Sequence, residues 1–221
     1  TDALGDDHAC IDQRPEVAER WSIWRAEKAS RRADDHGGGL NAAVLFEELA
    51  GVVDDDAVLC VDVGNNTYSF GRYFEVANQS VLMSGYLGSI GFGLPAAMGA
   101  WAAVGDPVFN ERPRQVVAIS GDGGLGQYAM ELNTAVKYDM NITHVVMNNG
   151  ELGKISKEQR AAEFDVWQTS LTNPSFGQFA LLCGAFGATV SRADQLPGAL
   201  AAALAHEGPA LVEVMTDALL V

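Results

Sequence analysis

Cysteine is scarce in this chain of 221 residues: Cys10, Cys60 and Cys183 are widely spaced, odd in number and form no C-x-x-C pair. That excludes a disulfide framework and a cysteine-built zinc site. Long apolar runs are also missing. No stretch approaches the ~18 residues of a membrane-crossing helix, and no secretory leader pattern opens the sequence, so the expected setting is soluble and cytoplasmic. Positive charge is the third shortage. Fourteen Lys and Arg, of which four are lysines, face 29 Asp and Glu, for a formal net charge of −15. A surface of that sign repels nucleic acid and anionic membranes, and an anionic ligand would need a local cation. Adaptation to high salt and a general acidic bias both fit this acidity. No internal period marks a repeat protein.

What is present fits one α/β domain: 48% of residues are apolar and 19% charged, enough for a sizeable core. Residues 1–39 read differently from the rest. A helix is expected from Pro15 to Arg32, with Val17, Trp21 and Trp24 on one face, followed by the polar, glycine-rich Ala33–Gly39. This segment suggests a linker behind an upstream region, with His8 and His36 solvated. From Leu40 to Val221 helices and short apolar runs alternate. Strands are expected at 57–61, 81–83, 115–119, 142–147, 188–190 and 210–215. Helices are expected at 41–51, 67–74, 90–104, 125–138, 176–186 and 195–206. This alternation predicts a three-layer α/β/α fold around a mostly parallel sheet.

In such sheets ligands bind beyond the carboxyl ends of the strands. Three strand ends are unusually polar or glycine-rich: Asp62-Val63-Gly64-Asn65-Asn66-Thr67, Ser120-Gly121-Asp122-Gly123-Gly124, and Asn148-Asn149-Gly150-Glu151. Gly121, Gly123 and Gly126 satisfy G-x-G-x-x-G, a pattern that suits backbone amides approaching an anion and that equally suits a tight turn without ligand. Asp122 adds a constraint. A carboxylate inside a phosphate-cradling loop repels phosphate unless a divalent cation lies between them. Mg²⁺ accepts oxygen from few protein groups together with phosphates and water. Asp122, the Asn149 amide and the Glu151 carbonyl can supply three such oxygens.

Gly121-Asp122-Gly123, followed after 24 residues by Asn148-Asn149, closely resembles the thiamine diphosphate motif of 2-oxo acid decarboxylases, pyruvate oxidases and acetolactate synthases. Asp62–Thr67 resembles the family's diphosphate-side loop, and Ser84–Ala97 the segment that holds the aminopyrimidine. The resemblance covers residues 40–221 and implies the pyrophosphate-binding domain. It implies Mg²⁺ on Asp122, Asn149 and the Glu151 carbonyl. It further implies thiamine diphosphate against Gly64, Asn65, Asn66, Gly88, Gly121, Gly123, Gly124 and Gly153, with Ile90 as the wedge that bends the cofactor. Bending brings the 4′-amino group against the proton to be removed.

Gly153-Lys154-Ile155-Ser156-Lys157-Glu158-Gln159 is similar to the pyruvate oxidase run, in which a glutamate at the Glu158 position faces the reacting centre; acetolactate synthases usually have Trp there. A plain surface-helix residue is the competing reading of Glu158. Lys154 departs from the family's Phe or Met, and either favours a larger acidic substrate or points to solvent. His144 and His206 read as core or surface residues, and Trp167 as packing or a lid. The pyrimidine-side glutamate of the family has no counterpart in these residues. The chain alone is therefore expected to be a half-site that needs a pyrimidine-binding domain from the same polypeptide or a partner subunit, within a homo-oligomer. FAD, where used, would bind a central domain. The competing classes are a nicotinamide-binding Rossmann dehydrogenase, which calls for an acidic residue where Asn148-Asn149 stand, and a non-catalytic regulatory domain, in which loss of Asp122 or Asn149 would be expected. The acceptor of the activated aldehyde stays open among oxygen, a quinone, a second 2-oxo acid and a proton.

Overall fold

Buried parallel strands read as unbroken apolar runs because both faces are covered, and Val116–Ile119 and Ala210–Val212 are such runs. The computed structural model describes residues 12–108 and 112–219; Cys10 and His8 lie outside them. In chain order the elements are α1 (Arg14–Arg31), α2 (Ala42–Val52), β1 (Val58–Val61), α3 (Asn65–Tyr73), β2 (Ser80–Met83), α4 (Gly93–Gly105) and β3 (Val116–Gly121). They continue with α5 (Asp122–Tyr128), α6 (Glu131–Lys137), β4 (Thr143–Asn148), α7 (Gly153–Ala161), α8 (Phe176–Cys183), β5 (Phe186–Val190), α9 (Leu196–Leu204) and β6 (Ala210–Met215). The six strands form one sheet in the order β2-β1-β3-β4-β6-β5, and every pairing is parallel.

Two apolar layers sandwich the sheet. On one face Leu45, Phe46 and Leu49 of α2, Phe70 of α3 and Leu200 of α9 meet Leu59, Val61, Val117 and Val212. On the other, Leu94 and Ala97 of α4, Leu125 of α5, Leu132 of α6 and Phe176 of α8 meet Cys60, Ala118, Val146 and Leu211. The three-layer α/β/α expectation is thus met. The sequence order reverses direction between β1 and β3, and the chain leaves these strands towards opposite faces, which opens a crevice at their carboxyl ends.

Several boundaries differ from the sequence reading, each for a local reason. The helix expected at 125–138 begins at Asp122 and is two helices, because Leu132 and Asn133 donate three residues back, to Ala129 and Met130, and tighten the chain there. The helix expected through Phe186 stops at Cys183, where Gly184 adopts φ 89° and caps it. The helix expected from Ile90 begins at Gly93. α7 has little apolar periodicity to announce it, since it buries only Ser156. α1 buries none of its residues; ion pairs of Arg25 and Lys28 with Glu75 and of Arg32 with Glu47 tie this end to the domain. No helix among the described residues is long and apolar enough to cross a membrane.

Candidate functional site

β1, β3 and β4 lie side by side, so their polar carboxyl ends meet at one edge. There they enclose a cavity of about 390 Å³. Gly64, Asn65, Asn66, Gly88, Ile90, Gly121, Asp122, Gly123, Gly124, Asn149, Glu151 and Gly153 all line it. Glu158 does not. It stands one turn along α7 from Lys154, a residue of the cavity wall whose Nζ lies 2.7 Å from the Glu158 carboxylate. Lys154 also lies 4.9 Å from the centre of the Tyr68 ring. The bond to Glu158 is the main reason that its ammonium is held above the ordinary lysine range. Gly126 lies within α5 and is not part of the cavity wall.

Asp122 is 3% exposed. Its Oδ2 accepts from the Gly150 amide at 2.8 Å and from Asn173 Nδ2 at 2.7 Å, while Oδ1 accepts from the Gly123 amide at 3.0 Å. Burial nevertheless prevails over these bonds and raises its carboxyl above the usual range. Asp62, also buried, holds the Gly91 and Phe92 amides at 2.9 and 3.1 Å and so ties the Ile90 segment to the end of β1. Burial raises its carboxyl too. The Asp62 backbone carbonyl accepts from Asn66 Nδ2 at 2.7 Å and from the Thr67 hydroxyl, which sets the turn into α3.

The loops approach too closely for side chains. A Cβ on Gly124 would strike the Asp62 carboxylate, and one on Gly153 would stand 2.5 Å from Asn65 Nδ2. A Cβ on Gly123 would stand 3.8 Å from Ile90 Cδ1 and 2.7 Å from Leu152 Cδ2, so these two apolar side chains lie over the glycine turn. Asn65 Nδ2 is buried without a hydrogen-bond partner, a donor with capacity to spare beside the glycine loops.

Among the described residues no group of three His, Cys, Asp or Glu is arranged to hold a metal. The donors at hand are carboxylates, amides and backbone carbonyls, an all-oxygen set suited to a hard cation that keeps phosphate and water ligands and unsuited to zinc or copper. Lys154 is the one cationic side chain among the described residues lining the cavity, against Asp122, Glu151 and Asp217.

Sequence reasoning missed several residues here. Thr216 and Asp217 line the cavity from just beyond β6, where the strand-end rule applied to Met215 would have pointed. Asn173 reaches Asp122 from the segment before α8, and no local signal announces that contact. Glu213, a charge inside an apolar strand, was visible as an anomaly; it is buried and accepts from Asn148. His144 is buried in the core, its Nε2 2.6 Å from Ser120 Oγ; burial lowers its ring to about 4. Trp167 is exposed, with its backbone held by the Gln159 amide.

Residues 62–214 match the model of the thiamine pyrophosphate enzyme family, C-terminal TPP binding domain. The chain is 41% identical over 177 residues to YdaP of Bacillus subtilis (strain 168), an alignment covering 80% of this chain and 30% of that protein. It is 32% identical over 197 residues to the acetolactate synthase isozyme 2 large subunit of Escherichia coli (strain K12), covering 87% and 34%. A solved structure, the thiamine diphosphate-dependent 4-hydroxybenzoylformate decarboxylase of Rhodococcus jostii RHA1, superposes with a TM-score of 0.74 at 28% identity, over 84% of this chain and 34% of that one. The chain thus spans about a third of the length of the curated relatives it matches.

Proposed function

We propose, since the chain belongs to the thiamine pyrophosphate enzyme family as its C-terminal TPP-binding domain, that it serves a Mg²⁺-dependent enzyme acting on a 2-oxo acid such as pyruvate. The observation that carries this reading is the buried Asp122, set beside Asn149 and Glu151 in a glycine-lined cavity and still short of compensating charge. Asp122, the Asn149 amide oxygen and the Glu151 carbonyl would hold Mg²⁺. The Gly123 and Gly124 amides, with the Gly64–Asn66 loop, would take the diphosphate, and the unpartnered Asn65 Nδ2 is a further donor for it. Thiamine diphosphate, when bound, supplies a nucleophilic carbon for the 2-oxo carbonyl and an electron sink for the loss of CO₂.

The chain's own work is then positional. Ile90, anchored through the Gly91 and Phe92 amides on Asp62, would bend the cofactor, and the Gly88 carbonyl would accept from its 4′-amino group. Tyr86 and Leu87, 98% and 81% exposed, flank that segment and would be covered by the pyrimidine-binding domain of the same polypeptide or of a second subunit. Water is thereby excluded from the reacting centre. Within the family we favour a pyruvate oxidase-like reaction over an acetolactate synthase-like one, on the run Gly153–Gln159 with its Glu158. Glu158 would act there by fixing Lys154. FAD, if the acceptor is oxygen or a quinone, would sit outside this chain.

Calorimetry of thiamine diphosphate binding to the intact protein, with and without Mg²⁺, tests the proposal. Metal-dependent binding that weakens on the order of 100-fold in Asp122→Ala is expected. Equal binding without metal, or an unaffected variant, would remove Asp122 from the site.

A further inference from the structure

Behind Asp122 runs a chain of buried polar side chains that the cavity does not expose. It starts at Glu213 on β6. Glu213 Oε2 accepts from Thr189 Oγ1 at 2.9 Å, the Gly177 amide at 3.1 Å and Ser175 Oγ at 3.3 Å. Its Oε1 accepts from Asn148 Nδ2 at 2.8 Å. An ionised carboxylate offers only acceptors, so it compels Asn148 to turn its NH₂ towards Glu213 and its oxygen away. The Asn148 Oδ1 so directed accepts from the Gly150 amide at 3.2 Å and from Asn173 Nδ2 at 3.0 Å. These are the same two donors that Asp122 Oδ2 receives, at 2.8 and 2.7 Å.

Resting on the function proposed above, the geometry points to Asn173 and Glu213 as positioning residues for the metal-facing carboxylate. Glu213 sets the sense of the Asn148 amide, and Asn148 holds Gly150 N–H and Asn173 Nδ2 where both engage Asp122 Oδ2. The Asp122 carboxylate is thereby locked about its own axis. Oδ2 is occupied by two donors, and Oδ1, with the Gly123 amide alone, is the oxygen left for a cation. Reversing the Asn148 amide would set NH₂ against two other donors and undo the lock.

A locked carboxylate that presents one oxygen suits Mg²⁺, which demands near-ideal octahedral geometry. Ca²⁺ accepts one or both carboxylate oxygens in flexible arrangements. The relay is therefore a device for metal discrimination as well as affinity. A residue that only stabilises the fold would weaken binding with both metals alike.

The test is thiamine diphosphate affinity of the intact protein in saturating Mg²⁺ and, separately, Ca²⁺. Asn173→Ala is the principal variant: Asn173 is half-buried in a loop, so its truncation is compatible with folding. Glu213→Gln is the second, and Thr189→Val the control, because it removes a donor on the far side of Glu213 and leaves Asn148 its acceptor. In Asn173→Ala and Glu213→Gln the Mg²⁺-supported affinity is expected to fall roughly 10-fold or more, with Ca²⁺-supported affinity changing less, so that the metal preference narrows. Thr189→Val should keep the wild-type preference. Parallel losses with both metals in Asn173→Ala, or an equal shift in Thr189→Val, would overturn the relay while leaving the proposed function standing. A wild type that binds thiamine diphosphate with neither metal would overturn both.

Discussion

Glu213 on β6 and Asp122 just beyond the end of β3 are both buried carboxylates, joined through Asn148 and Asn173, yet they stand in opposite electrostatic states. At Glu213 burial pushes the carboxyl up, but the donors from Asn148, Gly177, Thr189 and Phe176 outweigh it and hold it below the usual glutamate range. At Asp122 burial wins against the donors from Asn173, Gly123 and Gly150, and the carboxyl is held above the usual range. Glu213 is a completed structural anion. Asp122 is an incomplete one, and what it lacks is positive charge. The difference fits the proposed roles, with Glu213 fixing the Asn148 amide and Asp122 offering an oxygen to a cation.

Stability provides the largest contrast. Glu213→Leu leaves the buried Asn148 Nδ2 and Gly177 N–H without their acceptor and is expected to cost about 3–5 kcal/mol in urea unfolding. Asp122→Ala in metal-free protein is expected to cost less than about 1 kcal/mol, because Gly150 N–H and Asn173 Nδ2 keep Asn148 Oδ1 as acceptor. Equal costs would break the comparison. Their pH dependences run in opposite directions. The Glu213 contribution, with a depressed folded value, is present above about pH 4.5 and is lost as pH falls from there through its lower folded value. The Asp122 contribution, with a raised folded value, is present below about pH 3.8 and is lost as pH rises through its folded value.

Ligand linkage gives the second contrast. Mg²⁺ with thiamine diphosphate at about 100 times Kd adds about 2.7 kcal/mol, or about 5–10 °C in Tm for a chain of this size. Asp122→Ala, with its expected roughly 100-fold weaker binding, should keep only about 0.4 kcal/mol of that increment. An increment that survives in full in the variant would show that the ligands bind elsewhere.

The same electrostatics explain what could be read from the residues in advance. Val116–Ile119 and Ala210–Val212 announced themselves as strands because burial on both faces leaves an unbroken apolar run. Gly121-Asp122-Gly123 and Asn148-Asn149 stood out because they interrupt such runs with groups that burial disfavours. α7 was harder to see: a helix that buries only Ser156 carries no apolar stripe. Asn173 was invisible as a site residue, since only the tertiary fold brings it to Asp122. The placement of Glu158 outside the cavity wall likewise depends on the phase of α7, which the run Gly153–Gln159 does not reveal.

A third buried group sharpens the comparison from the basic side. His144 lies in the core, with Nδ1 unpartnered and Nε2 on Ser120, and burial lowers it from 6.5 to about 4. A histidine buried neutral contributes stability that is fully present above pH 6.5 and is lost as pH falls towards 4. The loss over that window is about 2–3 kcal/mol. His144→Gln should flatten the decline, as seen in urea midpoints at pH 7 and pH 5. An unchanged slope would assign the acid sensitivity to other groups.

The smallest effect on stability, and the most informative for substrate, belongs to Lys154. Its ion pair with Glu158 is half-exposed on both sides, and such screened pairs contribute little to stability, so Lys154→Met should leave the unfolding midpoint almost unmoved. Its position at the cavity wall is another matter. Asp122, Glu151 and Asp217 make the lining acidic, and a 2-oxo acid brings a further negative charge. With Lys154 absent, nothing cationic among the described lining residues offsets it. Lys154→Met is therefore expected to raise KM for the 2-oxo acid roughly 3- to 10-fold with little change in kcat, the signature of lost uniform binding. Glu158→Gln loosens the hold on Lys154 and should raise KM by a smaller factor. If both variants keep the wild-type KM, Lys154 is a surface cation whose nearness to the cavity serves no substrate.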